Sequence, residues 1–166
     1  MPLVSNLTIG HVSTLTGTGA LSTPSDQITY NKAYAWTSGT GVDQADKQHR
    51  TQITLAASGT QDIDLAGSLT DALGVALTFA KIKKIQVYAA PGNTNDVNVT
   101  RPATNGLPIF LAAGDGIPVK PGGALIWVAP GTGITVTAGT GDLLTFTNSA
   151  GGTSVTFDVI IEGTSA

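Results

Sequence analysis

Two acidic residues stand at a spacing that could support chemistry. Asp62 and Asp64 are separated by one residue in the segment 61–65, so on a β-strand both carboxylates lie on the same face. Paired carboxylates can act as acid and base in glycoside hydrolysis, and they can bind calcium. Outward-facing charges on an edge strand have the same spacing and prevent edge-to-edge aggregation. Since no further acid, base or ligand follows at a readable spacing, we favour the edge-strand interpretation.

Other groups that could bind a metal or act in catalysis are few. Asn93, Asn95 and Asp96 share a loop whose oxygen atoms could bind calcium, although Asn-rich turns have the same composition. A catalytic triad or a two-histidine metal centre would have to use His11 or His49, and neither has a partner at ligand spacing. The chain contains no cysteine, which excludes thiolate chemistry. We therefore expect no enzyme activity, no metal and no cofactor.

The tripeptide Gly-Thr-Gly could mark phosphate-binding loops. None of its copies continues into Gly-Lys-Ser/Thr or opens a convincing helix, so the helix dipole that assists phosphate binding is missing. We predict turns at all of them. The copies occupy residues 17–19, 39–41, 131–133 and 139–141.

Three lysines form the first candidate interface. Lys81, Lys83 and Lys84 surround Ile82 at the start of a predicted strand, where a basic patch could contact DNA phosphates. The patch has no arginine and no interleaved aromatic residue, and the chain carries a net charge of -3. A face that forms salt bridges to an acidic neighbouring subunit suits this composition better than nucleic acid.

Aromatic residues form the second candidate interface. Alternation places Tyr30, Lys32, Tyr34 and Trp36 on one face of a strand. That strand either closes the edge of the fold or belongs to an arm that docks on a partner, because Tyr and Trp are typical interface anchors. The Thr-, Gly- and Ser-rich stretch 13–23 has few large apolar residues. We therefore predict a flexible or extended N-terminal arm over residues 1–27, mobile in the free protein, and a single domain over 28–166.

Period-two alternation dominates the rest of the chain. In the segment 155–162, Val155, Phe157, Val159 and Ile161 share one face, which indicates a half-buried strand. Gly- and Pro-rich turns separate such runs at short intervals. The pattern predicts an all-β fold, a jelly-roll-like β-sandwich of roughly 8–10 short strands with at most one short helix. The residues expected to share its core are Phe146, Phe157, Val159, Ile161, Val136 and Ile85.

Two segments have more specific predictions. Residues 124–129 are apolar on both sides, so we expect a central strand covered on both faces. Residues 68–74 are the one helix candidate, where Ser68 or Thr70 could cap a turn or two before Gly74 ends it.

The composition indicates a protein that packs against other proteins. Charged residues make up only 11% of the 166-residue chain, so Thr, Ser, Asn, Gly and Ala must cover much of its surface. Such residues cost little to remove from water. The first residues lack the basic and apolar segments of a signal peptide, and no apolar run approaches the length of a membrane span.

Several short sequences together carry a family resemblance, which covers most of residues 28 to 164. The set resembles the small virion proteins of tailed bacteriophages, and jelly-roll capsid decoration (cement) proteins in particular. The sequences are Trp36–Lys47, Asp64–Asp71, Phe79–Lys83, Val119–Gly123, Val136–Asp142 and Val155–Thr164.

The resemblance implies a β-sandwich that binds the outer capsid surface, with no catalytic residues to carry over. Its implied partners are the major capsid protein and copies of the chain itself, as a dimer or trimer. The net charge of -3 and the lack of a long apolar run add the expectation of no nucleic acid and no membrane as partners. The implied location is the virion capsid surface, after synthesis in the host cytoplasm. One alternative is a tail, fibre or baseplate module that binds a host glycan in a groove lined by Trp36 or Trp127. A glycan-active enzyme that uses Asp62 and Asp64 is a third.

Overall fold

The computed structural model describes residues 2–67 and 69–166, which form strands and no helix. Thirteen strands occur in this part of the chain, more than expected because three of them are only two residues long. They are β1 (Ser5–Thr16), β2 (Ser25–Trp36), β3 (Lys47–Leu55), β4 (Thr60–Asp64), β5 (Leu69–Thr70), β6 (Ala76–Leu77), β7 (Lys81–Ala89), β8 (Val97–Thr100), β9 (Gly116–Val119), β10 (Ala124–Val128), β11 (Ile134–Thr135), β12 (Leu143–Asn148) and β13 (Val155–Thr164).

Two antiparallel sheets pack face to face, which confirms the predicted all-β sandwich. One sheet has the order β10-β7-β13-β3, with β11 beside β10 on the same edge of β7. The other has the order β4-β12-β8-β9. Phe146 of β12 and Phe157 of β13 stack across the interior, with ring centroids 5.1 Å apart. The sheets therefore share one core.

The core contains the six residues that alternation selected. All are at most 9% exposed, and Phe146, Val159, Ile161 and Ile85 are completely inaccessible. In β12 and in the first half of β13, buried side chains alternate with more exposed ones. The period of two therefore predicted the inward face of these strands correctly.

The prediction of a central strand at residues 124–129 is wrong. β10 lies at an edge of the five-stranded sheet, and its Ile126 is 37% exposed. The central strands are β7 and β13, and β7 is buried along nearly its whole length although it carries Lys83, Lys84 and Gln86. An apolar run shows that a strand can be covered on both faces, but its position in the sheet depends on distant strands.

The predicted helix at residues 68–74 is also wrong for the residues that the structure describes; the proposed cap Ser68 lies outside them. Leu69 and Thr70 form β5, which pairs with β6. The Asp71 carboxylate accepts hydrogen bonds from the backbone N–H groups of Leu73 (2.8 Å) and Val75 (2.9 Å). These local bonds favour a turn over a helix.

The N-terminal strands form a long antiparallel hairpin. β1 and β2 pair along their full lengths, from Ser5 opposite Trp36 to Thr16 opposite Ser25. Every residue from 8 to 33 is exposed, so most of the hairpin projects from the sandwich. The predicted arm is thus extended, but its expected boundary at residue 27 falls inside β2. The projecting unit ends instead where Trp36 becomes buried.

Mobility of the N-terminal arm in the free protein stays a prediction. The structure shows a hairpin there, so we expect the most mobile part to be its turn, residues 17–24. This turn is closed by hydrogen bonds from Gly17 N–H to Pro24 O (2.8 Å) and from Gly19 N–H to Ser22 O (3.0 Å), and all its residues are exposed. In limited proteolysis of the isolated protein, we expect the first cut there, well before any cut in β13. Equal resistance of the turn and of β13 would contradict a mobile arm.

Candidate functional site

The two faces of the hairpin differ in chemistry. Opposed residues of an antiparallel pair project to the same side, so the register assigns each side chain to a face. One face is mainly Thr, Ala, Asn and Gln, with Val12 as its large apolar residue. The other, named here the apolar face, comprises Leu7, Ile9, His11, Ser13 and Leu15 of β1 and Asp26, Ile28, Tyr30, Lys32 and Tyr34 of β2.

The apolar face is open to solvent over most of its length. Leu15 is 76% exposed, Tyr30 62% and Ile28 53%. An isolated two-stranded hairpin is marginally stable in water, and large contiguous apolar surfaces mark interaction sites. The exposed part of this face is therefore the strongest candidate for protein binding.

The expected common face of the β2 aromatic residues is confirmed. Tyr34 and Trp36 stack with ring centroids 6.0 Å apart, and Lys32 Nζ lies 5.5 Å from the centroid of the Tyr34 ring. The contribution of β1 was missed, although Leu7, Ile9 and Leu15 occupy alternate positions that a period-two search of residues 5–16 would have found.

The hairpin is attached to the sandwich at its base, where Trp36 is only 1% exposed. Lys84 Nζ lies 5.4 Å from the centroid of the Trp36 ring. Lys84 also forms a buried ion pair of 2.8 Å with Glu162, whose other carboxylate oxygen accepts hydrogen bonds from Ser5 Oγ (2.9 Å) and Gln48 Nε2 (2.8 Å). This network joins both hairpin strands to the outward face of the five-stranded sheet.

The prediction of an exposed interface is wrong for three of its six residues. Trp36, Lys83 and Lys84 are at most 3% exposed within the single chain, so they are not free to contact a partner. Their polar and aromatic groups are used instead to attach the hairpin and the neighbouring loops. Tyr30 is exposed, and Tyr34 and Lys81 are partly exposed.

Lys83 connects two loops at the same end of the sheet. Its ammonium group donates hydrogen bonds to the carbonyl oxygens of Gly41 (3.3 Å) and Gly131. Burial lowers the pKa of Lys83 below its usual value, the charge of Lys81 lowers it further, and Asp43 opposes the change. Two of the Gly-Thr-Gly segments thus supply carbonyl groups to a lysine. As predicted, three of the four include turn or bend residues, and the segment 17–19 belongs to the connection that closes the hairpin.

Asp62 and Asp64 lie where the edge-strand interpretation places them. β4 is an edge strand, and Asp62 and Asp64 are exposed on its outward face. The Asp62 carboxylate accepts a hydrogen bond from Thr145 Oγ1 (2.5 Å), and that of Asp64 accepts one from the N–H of Ala66 (3.0 Å). Both carboxylates therefore take part in local structure.

Replacing both residues in the variant Asp62→Asn/Asp64→Asn should leave particle assembly and particle stability unchanged, because neither carboxylate belongs to a larger cluster of acidic groups. The measurement is the yield and heat resistance of particles that carry the variant. Hydrolysis of a glycan or peptide by the wild-type protein that disappears in the variant would establish a catalytic pair instead.

The remaining candidate ligands also have structural partners. The Asn93 side chain exchanges hydrogen bonds of 2.9 Å with both backbone groups of Thr156, and Asp96 pairs with Lys120 at 2.6 Å. His49 Nδ1 lies 2.8 Å from the carbonyl oxygen of Thr70. Within residues 2–67 and 69–166, no three His, Asp or Glu side chains lie close enough together to hold a metal ion.

Two shallow depressions can be described on the surface of the sandwich within residues 2–67 and 69–166. One, of about 370 Å³, lies beside the β5–β6 turn and includes the exposed Leu73 and Val75. The other, of about 350 Å³, lies on the outward face of the five-stranded sheet and includes Tyr88 and Asp158. In it, the Asp158 carboxylate accepts a hydrogen bond of 2.9 Å from Gln52.

The fold and this surface define a β-sandwich with a projecting hairpin. Comparisons with models of protein families, with curated proteins and with solved structures found no match. The described residues include no helix long and apolar enough to cross a membrane.

Proposed function

We propose that this protein is a virion structural protein of a tailed bacteriophage, a jelly-roll-like decoration protein that binds the outer surface of the capsid and stabilises it. The observation that carries the proposal is the exposed apolar face of the hairpin, which is a surface for binding protein. The sequence of residues 28 to 164 resembles capsid decoration proteins. From this resemblance we infer that the particle is a phage capsid and that the partner is its major capsid protein.

The chemistry of the surface supports repeated packing of identical neighbours. With only 11% charged residues, the chain has little electrostatic repulsion between copies and a small cost of desolvation. Weak contacts that recur over a symmetric shell add up to high avidity. A protein that binds only the assembled shell stabilises that state by mass action.

The glycan-binding alternative lacks its expected groove. It requires an exposed tryptophan, whereas Trp36 is buried at the hairpin base and Trp127 is partly buried against the core. We therefore keep the capsid proposal as the function that the geometry supports best.

The test of the capsid proposal compares particles with and without this protein. We expect many copies per particle in a quantitative gel, distributed over the head in low-resolution images. Particles that carry the protein should release DNA at a higher temperature or chelator concentration than particles without it. A handful of copies confined to the tail, with unchanged release of DNA, would overturn the proposal in favour of a tail module.

A further inference from the structure

Two charged residues on the apolar face suggest what covers it. Asp26 and Lys32 are its only acidic and basic side chains apart from His11, they have opposite signs, and they lie six residues apart on β2. Neither forms an ion pair within the described part of its own chain. A surface with separated opposite charges is complementary to a reversed copy of itself.

We propose that the apolar face packs against the same face of a second copy of this chain, with the two hairpins antiparallel. The inference rests on the proposed function only in assigning the hairpin to protein binding, and it does not depend on a capsid. A two-fold axis at the level of Thr29 places Lys32 of each copy opposite Asp26 of the other. An axis along the hairpin would instead lay β2 over the partner's β1, with Lys32 over the partner's Ile9 and the two lysines at the same level, so no opposite charges would meet.

The same axis also matches the other side chains of the face. In an antiparallel face-to-face pair, β2 lies over the partner's β2 and β1 over the partner's β1, so one axis determines every opposed pair. Apolar residues then oppose apolar residues, and the one histidine opposes a serine. The pairs are Tyr30 with the partner's Ile28, Leu15 with the partner's Ile9, and His11 with the partner's Ser13.

The register also determines where each hairpin ends relative to the partner's sandwich. It brings the partner's Pro24, at the end of its turn, to the level of Tyr34. The next pair of residues on this face, Ser5 and Trp36, is the buried pair at the hairpin base. The overlap therefore covers the exposed part of the apolar face, and the rest of the partner's turn, residues 18–23, reaches the level of the hairpin base.

The area predicts a weak dimer. Strands of 12 residues make the hairpin about 40 Å long, and two faces about 10 Å wide bury on the order of 800 Å² in total. This is below the usual size of a stable interface, so we expect dissociation at micromolar to millimolar concentrations. Such an affinity suits copies that are also held side by side on a particle.

Charge exchange tests the pairing. In sedimentation velocity of the full chain, the wild type should change from monomer to dimer with concentration. Lys32→Asp places Asp opposite Asp, and Asp26→Lys places Lys opposite Lys; each should weaken the dimer roughly tenfold, because symmetry repeats the contact twice. An equimolar mixture of the two variants should form a heterodimer that is tighter than either homodimer. In it, one copy carries Asp at both positions and the other carries Lys at both, so both contacts across the axis join Asp to Lys.

Control variants separate this pairing from general effects. Asn31→Asp introduces charge on the opposite face of β2 and should leave the dimer unchanged. All these positions are exposed, so the thermal unfolding of each variant should match the wild type. A wild type that remains monomeric at about 1 mM overturns the inference, as does a mixture that associates no better than its components.

The test also separates this inference from the proposed function. A monomeric wild type that still decorates particles would assign the apolar face to the capsid and leave the proposed function standing. A dimer with the expected charge response that does not bind particles would support the pairing and remove the capsid role.

Discussion

Replacing Phe157 with alanine is expected to lower the free energy of unfolding by about 3–5 kcal/mol. The ring is 1% exposed, lies between the two sheets and stacks on Phe146. Its removal loses apolar contacts and leaves a cavity in the core, and both effects lower stability because the surrounding side chains relax only partly into the space. Equilibrium denaturation in urea, monitored by circular dichroism, measures the change.

The matched control for Phe157→Ala is Asp158→Asn, one residue further along β13 on its outward face. Asp158 is exposed, and asparagine retains an oxygen that can accept the hydrogen bond from Gln52. Its effect should stay within about 0.5 kcal/mol. A loss below about 1 kcal/mol for Phe157→Ala would show that the inward face of β13 is assigned wrongly.

Replacing Lys84 with methionine is expected to be comparably destabilising, by about 3–5 kcal/mol. The change leaves the Glu162 carboxylate, which is 1% exposed, buried without its 2.8 Å cationic partner. It also removes the cation that lies over the Trp36 ring and the hydrogen bond of 3.2 Å that Lys84 donates to Ser5. The same urea denaturation measures this loss.

The double variant Lys84→Met/Glu162→Gln distinguishes an unpaired charge from lost packing. It removes both charges, while the side-chain oxygen of the introduced glutamine can still accept hydrogen bonds from Ser5 and Gln48. Replacing a buried ion pair by neutral groups is often nearly neutral, so the double variant should be more stable than Lys84→Met alone. A double variant that is as unstable as the single one would assign the loss to packing at the hairpin base.

Phe157 and Lys84 show which features a local sequence pattern can predict and which it cannot. Phe157 was assigned to the core from its place in an alternating run, and it lies there. Lys84 was assigned to an interface because it belongs to a group of three lysines at the start of a strand, which suits a face that forms salt bridges to a neighbouring subunit. Its partner, Glu162, lies 78 positions away in sequence, and only the pairing of β7 with β13 brings the two together.

The hairpin illustrates the same limit. Alternation placed Tyr30, Lys32, Tyr34 and Trp36 on one face, and that is correct. The separate arm ending at residue 27 was inferred from the Thr- and Gly-rich stretch 13–23, but these residues form the end of β1 and the turn of a hairpin. Composition indicates few contacts with a core; it does not show that two such segments pair with each other.

The sequence by itself therefore determined the fold class and the inward faces of the strands, because side-chain direction alternates with a period of two whatever a strand's neighbours are. It also determined that the Gly-Thr-Gly segments are turns. Only the tertiary structure decided that 124–128 is an edge strand, that Lys83, Lys84 and Trp36 are buried, and that the apolar face of the hairpin is left uncovered. These features depend on strand pairing and on buried charges meeting their partners, which are non-local interactions that no local pattern encodes.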